Sequence, residues 1–335
     1  MDAGILTWGG LIAFIVVAFV VDFFFFQRDH HTPPTLTRAA VWSVIWIAAA
    51  LLFGAGLWVL ESSKAGSEFL TGYLLERSLS LDNVFVFALI FGAMAVPVGN
   101  RQDVLELGII MALVLRAIFI ALGATLVESF SWVLYIFGAI LLYTGVQMAR
   151  HRGEQEDVDP DKNIGVRLLK KVMPVTDEYR GSSYFVKENG KRMATPLLAV
   201  VAAVATADVI FAVDSIPAIF GITTDVFIVF SANAFALLGL RALFALLEGA
   251  RDRFKYLTLG LAFILVFIGI KMLTEELWHM PVWVSLLGIV LALTVSIVAS
   301  LRATEPGEGG GAGGGPAPPP VAGRPAEAAA GVRPG

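Results

Sequence analysis

A chain of 335 residues could hold two soluble domains, but its composition excludes them: hydrophobic residues make up 57% and charged residues 16%, against about 45–50% and 25% in soluble domains. The absence of cysteine removes disulfides, thiolate metal sites and cysteine nucleophiles. The net charge of −4 decides little, because membrane orientation follows where Lys and Arg sit and not their total.

Apolar runs of the length that spans a bilayer recur at 5–26, 39–60, 70–97, 104–126, 130–149, 196–220, 226–249, 256–274 and 281–301. They predict an all-α polytopic membrane protein of about nine transmembrane helices, its transmembrane domain covering 1–303. No basic segment precedes the first run and no small-residue cleavage site follows it, so it reads as a retained helix. His30 and His31 come next, at the headgroup boundary.

Basic residues alternate from loop to loop. Arg28 and Arg38 lie in loop one, Arg101 in loop three, ten Lys or Arg between Arg150 and Arg192, and Arg251, Arg253 and Lys255 in loop seven, whereas loops two, four, six and eight hold only Lys64. Odd loops are therefore expected in the cytoplasm of an inner-membrane protein, with the N-terminus outside and the C-terminus inside. Trp8, Trp42, Trp132, Trp278 and Trp283 stand near span ends as interfacial anchors. The cytoplasmic loop 150–195 opens on the acidic stretch 154–161 and carries a hairpin signal at Asn189-Gly190. The segment 304–335 is so rich in Gly, Pro and Ala that it cannot bury enough surface to fold, and reads as a disordered cytoplasmic tail.

Two polar stretches interrupt the apolar runs, Glu76-Arg-Ser-Leu-Ser-Leu-Asp82-Asn83 and Asp208-Val-Ile-Phe-Ala-Val-Asp214-Ser215. Each pairs two acids across five residues. Further matches follow, Leu115-Arg116-Ala117-Ile118-Phe119 with Leu240-Arg241-Ala242-Leu243-Phe244, and Thr144-Gly145-Val146-Gln147-Met148 with Ile268-Gly269-Ile270-Lys271-Met272. Spans three to five thus repeat as spans six to eight. Because the copies start an odd number of spans apart, they have opposite topology, an inverted repeat of the kind that places transport sites on discontinuous helices at the repeat interface. The polar stretch 78–83 and the segment Asp214-Ser215-Ile216-Pro217 are the expected breaks.

A carboxylate at bilayer depth costs roughly 2.5–3.5 kcal/mol on insertion scales, so four of them call for compensation. Glu76, Asp82, Asp208 and Asp214, with Asn83, Ser215 and, from span one, Asp22, form a hard-oxygen set suited to Mg²⁺, Ca²⁺ or Mn²⁺. The competing account pairs the acids with Arg77, Arg116, Arg241 and Lys271 as structural ion pairs. Glu61, Glu68, Glu128, Asp225, Glu275 and Glu276 form a negative outer rim. No phosphate-cradling glycine loop, Ser/His/Asp arrangement or HExxH motif is present, so no enzyme and no tightly bound cofactor is expected.

Glu76–Phe87, Val172-Met-Pro-Val-Thr-Asp-Glu-Tyr179, Ala194-Thr-Pro-Leu197, Asp208–Ala218 and Ser231–Ala242 resemble the TerC family of integral membrane proteins, named for tellurium resistance, with Ala232 where a serine or threonine is expected. The likeness covers roughly residues 5–300. It implies divalent-metal handling, chiefly manganese export, and supply of metal to extracytoplasmic metalloenzymes; the family acids fall on Glu76, Asp82, Asp208 and Asp214. Partners follow from each reading: a divalent cation and the lipid bilayer for an exporter, the secretion machinery or exported metalloenzymes for a membrane scaffold or metallochaperone acting through 150–195, and no nucleic acid for either. Tellurite handling fits an acidic centre poorly.

Overall fold

The computed structural model describes residues 4–26, 35–150, 162–188, 190–247, 256–274, 277 and 280–304, with the side chain of Asp82 outside what is described. In chain order the elements are α1 (Ile5–Phe26), α2 (Leu36–Leu60), α3 (Ser63–Ala93), α4 (Val98–Ser129), α5 (Val133–Arg150), α6 (Ile164–Val172), β1 (Phe185–Glu188), β2 (Lys191–Ala194), α7 (Pro196–Phe220), α8 (Val226–Leu237), α9 (Leu240–Leu247), α10 (Leu257–Leu273) and α11 (Val282–Thr304). The protein is an all-α membrane protein. Helices α1, α2, α4, α5, α7 and α11 are each long and apolar enough to cross a membrane, and the bent pair α8–α9 is so when its two helices are taken together. Two expected spans fall short of that description for different reasons. At 31 residues α3 is long enough but carries Glu68, Glu76, Arg77 and Asp82, and α10 is apolar but only 17 residues long.

Helices overrun the apolar runs because hydropathy marks hydrocarbon, whereas capping marks hydrogen bonding. The third span is expected from 70, yet α3 starts at Ser63, where the Ser62 hydroxyl accepts from the Ala65 N–H at 3.0 Å.

The expected helix breaks are displaced. Residues 78–83 lie in unbroken helix, and the Ser78 hydroxyl donates to the carbonyl of Leu74 in its own helix, so its polarity is absorbed without a break. Pro217 stands three residues before the end of α7, so the Val213 carbonyl loses its ladder partner where little helix remains, and the helix runs on to Phe220. The bend, 41°, falls instead between α8 and α9. There Gly239 takes φ +75°, and a Cβ on it would stand 2.6 Å from the Trp46 indole, so two requirements converge on glycine. The carbonyls of Ala236 and Leu238 at the break accept from the Arg77 guanidinium at 2.9 and 3.2 Å, the internal satisfaction that backbone inside a membrane protein requires.

Packing relates the two repeated units reciprocally. Helix α3 packs on α8 as α7 packs on α4, while α3 meets α7 and α5 meets α10. An offset of 124 residues carries Gly145 onto Gly269 and Gly138 onto Ala262. A Cβ on Gly145 would stand 2.9 Å from the Ala262 carbonyl, and one on Gly269 would stand 2.9 Å from the Gly138 carbonyl. Small residues let these backbones touch, the usual device of helix pairs in lipid.

Helix α3 contributes Leu75 and Leu79 to one apolar core and Val84 and Phe87 to a second, which places its polar stretch at their junction. Beyond the second core lies the loop 150–195. The Tyr179 hydroxyl donates to the Met94 carbonyl at 2.6 Å and the Asn100 amide to the Gly181 carbonyl at 3.0 Å, so the loop is fastened to the α3–α4 turn. The expected hairpin is present as antiparallel β1–β2, from Phe185 opposite Ala194 to Glu188 opposite Lys191, with Gly190 at φ +76°. Asn189, His30, His31, Glu275, Glu276, the acidic residues 154–161 and the tail from 305 lie outside the described residues.

Candidate functional site

Glu76 of α3 and Asp208 of α7 meet on one guanidinium. Arg116 of α4 donates from Nη1 to Glu76 Oε1 and from Nη2 to Asp208 Oδ1 at 3.1 Å, with Nε 3.5 Å from Asp208 Oδ2. Its Nη1 also reaches Asn233 Oδ1 on α8 at 2.9 Å, and Asn233 Nδ2 donates to the Val229 carbonyl at 3.1 Å. Residual exposure is 1% for Glu76 and Arg116 and 2% for Asp208. In so dry a place an ion pair must recover a desolvation cost of several kcal/mol per ion, which it does only with full hydrogen bonding. Arg116 uses its fork for this, the Nε–Nη2 edge on Asp208 and Nη1 shared between Glu76 and Asn233. Two carboxylates nevertheless share one positive charge.

The other expected ligands are distributed around this centre. Asp214, one and a half turns beyond Asp208 on α7, accepts from the Thr144 hydroxyl of α5 at 3.0 Å and is half-buried. Asn83 and Ser215 are buried, and the hydroxyls of Ser80 and Ser215 have no hydrogen-bond partner among the described residues. Asp82 lies on α3, its carboxylate outside the description. Asp22 belongs to a different cluster: it accepts from the Trp46 indole N–H at 3.1 Å and stands 3.7 Å from Arg241, which also meets Glu106 at 3.3 Å. A single centre holding Asp22 together with Glu76 and Asp208 is therefore corrected to two arginine-centred clusters. The described residues contain no group of three or more acids or histidines placed to hold a metal.

Arg116 pairs with Glu76 and Asp208, and Arg241 with Asp22 and Glu106. Among the described residues Arg77 covers the α8–α9 break, and Lys271 Nζ donates to the Gly221 carbonyl at the end of α7 at 2.9 Å. Asn233, Thr144, Trp46 and Glu106 were not singled out from sequence. Only Asn233 carried a signal, a carboxamide inside an otherwise apolar span.

At one end of the bundle Glu61, Glu68, Glu128 and Asp225 of the expected outer rim line a cavity of about 940 Å³ together with Lys64 and Lys271. Glu68 is buried there and accepts from the Thr223 hydroxyl at 2.8 Å. At the opposite end, beside the 150–195 loop, the Tyr184 phenol is pushed up to about 12, by burial first and then by the charges of Asp103 and Glu106.

The family model described as the integral membrane protein TerC family matches residues 61–307. The chain belongs to the TerC family. It is 45% identical over 298 residues to the Escherichia coli (strain K12) protein named "Putative membrane-bound redox modulator Alx", covering 87% of this chain and 92% of that protein. It is 44% identical over 294 residues to the "Uncharacterized membrane protein STKORF319" of Myxococcus xanthus, covering 88% and 91%. The "Uncharacterized membrane protein Mb2742" of Mycobacterium bovis is 42% identical over 279 residues, covering 83% of this chain and 70% of that one. No solved structure matches. The matched TerC region includes both arginine clusters except for Asp22 and Trp46, which precede it.

Proposed function

We propose that this TerC protein exports a divalent cation, Mn²⁺, across the cytoplasmic membrane, along an acidic path where two inverted repeats meet. One observation carries the reading: Glu76 and Asp208, at matching places in the two repeats, are buried on a single guanidinium. Two acids thus share one cation in a place where charge is expensive. The reciprocal contacts of α5 with α10 support the repeat, since a two-fold exchange turns each glycine–carbonyl approach into the other.

In this mechanism Arg116 stands in for the cargo. It neutralises Glu76 and Asp208 while the path is empty and yields their oxygens when a divalent ion arrives. Asp82 and Asp214 lie six residues further along α3 and α7, about 9 Å by helix rise, and the Asp214 carboxylate beside Thr144 extends the oxygen path along α7. A hard divalent ion suits carboxylate, amide and hydroxyl oxygens of this kind. The acidic cavity at one end of the bundle raises the local cation concentration. The redox role in the name of the Alx relatives cannot run through thiols here, because the chain has no cysteine; moving a redox-active metal would supply it.

The test compares cells with and without the protein after a manganese load. Lower intracellular manganese is expected with it, and Asp82→Asn and Asp214→Asn, each inserted at the normal level, are expected to lose the effect. Equal manganese in all strains overturns export and leaves the metal-supply scaffold as the reading.

A further inference from the structure

The cation path makes no use of α6. This helix has nine residues, its Asn163 cap accepting from the N–H groups of Gly165 and Val166 at 2.9 and 3.2 Å. One side lies hard against α7: a Cβ on Gly165 would stand 2.2 Å from Thr206 Oγ1 and 2.4 Å from the Ala202 carbonyl, and Val166 is buried beside it. The contact residues are six and ten positions past the start of α7, about 9–15 Å along a membrane-crossing helix. So α6 sits alongside the span itself and not above its end.

The rest of its circumference divides sharply. At about 100° per residue, Ile164, Leu168 and Val172 share one arc, next to the arc that meets α7. They are 68%, 61% and 76% exposed. Arg167, Lys170 and Lys171 occupy the remaining arc and are exposed too. An apolar stripe of three large side chains in water would be costly.

We infer that α6 lies in the surface of the bilayer, with Ile164, Leu168 and Val172 at the acyl boundary and Arg167, Lys170 and Lys171 on anionic phospholipid headgroups. Three features select lipid over a protein partner. The helix is fixed against the first three turns of a membrane-crossing helix, its apolar arc is continuous with the side facing that span, and its cations border that arc as they do in interfacial helices on anionic membranes. The inference depends on the chain spanning a membrane and not on what it transports.

The absence of cysteine makes the test clean. Ile164→Cys, Leu168→Cys, Val172→Cys and Lys170→Cys are introduced singly into the full chain, nitroxide-labelled and reconstituted in vesicles of phosphatidylcholine with or without phosphatidylglycerol. Labels at 164, 168 and 172 should collide several-fold more with oxygen than with a water-soluble nickel chelate, and the label at 170 should show the reverse. Phosphatidylglycerol should increase the contrast, and Arg167→Gln/Lys170→Gln/Lys171→Gln in the Leu168→Cys background should remove that increase. Equal nickel access at 168 and 170 overturns the surface helix. Protection from both reagents, with an immobilised spectrum, overturns it in favour of a protein partner. A contrast indifferent to phosphatidylglycerol overturns the anionic-lipid assignment. All labelled positions are exposed, so the packing of Gly165 and Val166 on α7 is left untouched.

Discussion

Arg116 and Arg241 hold matching places in the repeated motif, Leu115-Arg116-Ala117 and Leu240-Arg241-Ala242, yet their surroundings differ. Arg116 takes the acids of the repeat itself, Glu76 and Asp208. Arg241 turns to Asp22 on α1, outside both repeats, and to Glu106. The shared motif therefore does not by itself set the partners; they follow from which helices pack against each guanidinium. The first cluster is sealed, whereas in the second the Glu106 side chain keeps 17% exposure, so water can share the cost of charge there.

That contrast predicts unequal damage. Arg116→Met should be the most harmful, since it leaves two buried carboxylates facing each other; a loss of about 3–5 kcal/mol is expected, read as a fall in detergent unfolding temperature and in inserted yield. Glu76→Gln/Arg116→Met/Asp208→Asn should recover most of that stability while remaining inactive, because neutralising the cluster removes the unpaired charge but also the cation site. A triple variant no more stable than Arg116→Met would show that packing, not charge, sets the cost. Arg241→Met should cost about 1–3 kcal/mol by the same unfolding assay, and a loss equal to that of Arg116→Met would erase the distinction between sealed and wet clusters.

Smaller effects test the surroundings of each cluster. Gly239→Ala forces a side chain into left-handed backbone beside the Trp46 indole, two residues from Arg241. It should cost about 1–2 kcal/mol and loosen the Trp46–Asp22 hydrogen bond, read as a shift in tryptophan emission. Thr223→Val removes the hydroxyl that Glu68 accepts from in the acidic cavity; about 1 kcal/mol is expected by the same unfolding assay, with both arginine clusters intact.

Much of the molecule can be read without coordinates, for identifiable reasons. Apolar length and the repeated motif report local chemistry, and they marked the spans, Glu76, Asp208 and the relation of Arg116 to Arg241. Turn chemistry marked the β1–β2 hairpin. Helix breaks were misplaced because Ser78 and Pro217 look disruptive as residue types, whereas Ser78 bonds within its own turn and Pro217 stands where the helix is ending. Gly239 looks ordinary in sequence. Its necessity comes from Trp46, far away in the chain.

What the sequence by itself determined is the class of the protein, its duplicated acids and its TerC motifs, all of which depend on residue type at a fixed spacing along one helix. Which acid meets which cation was decided only in the tertiary structure. A guanidinium's choice between Glu76, Asp208, Asp22 and Glu106 depends on the approach of four separate helices, and a buried charge is satisfied by whichever oxygen that packing brings within hydrogen-bond reach.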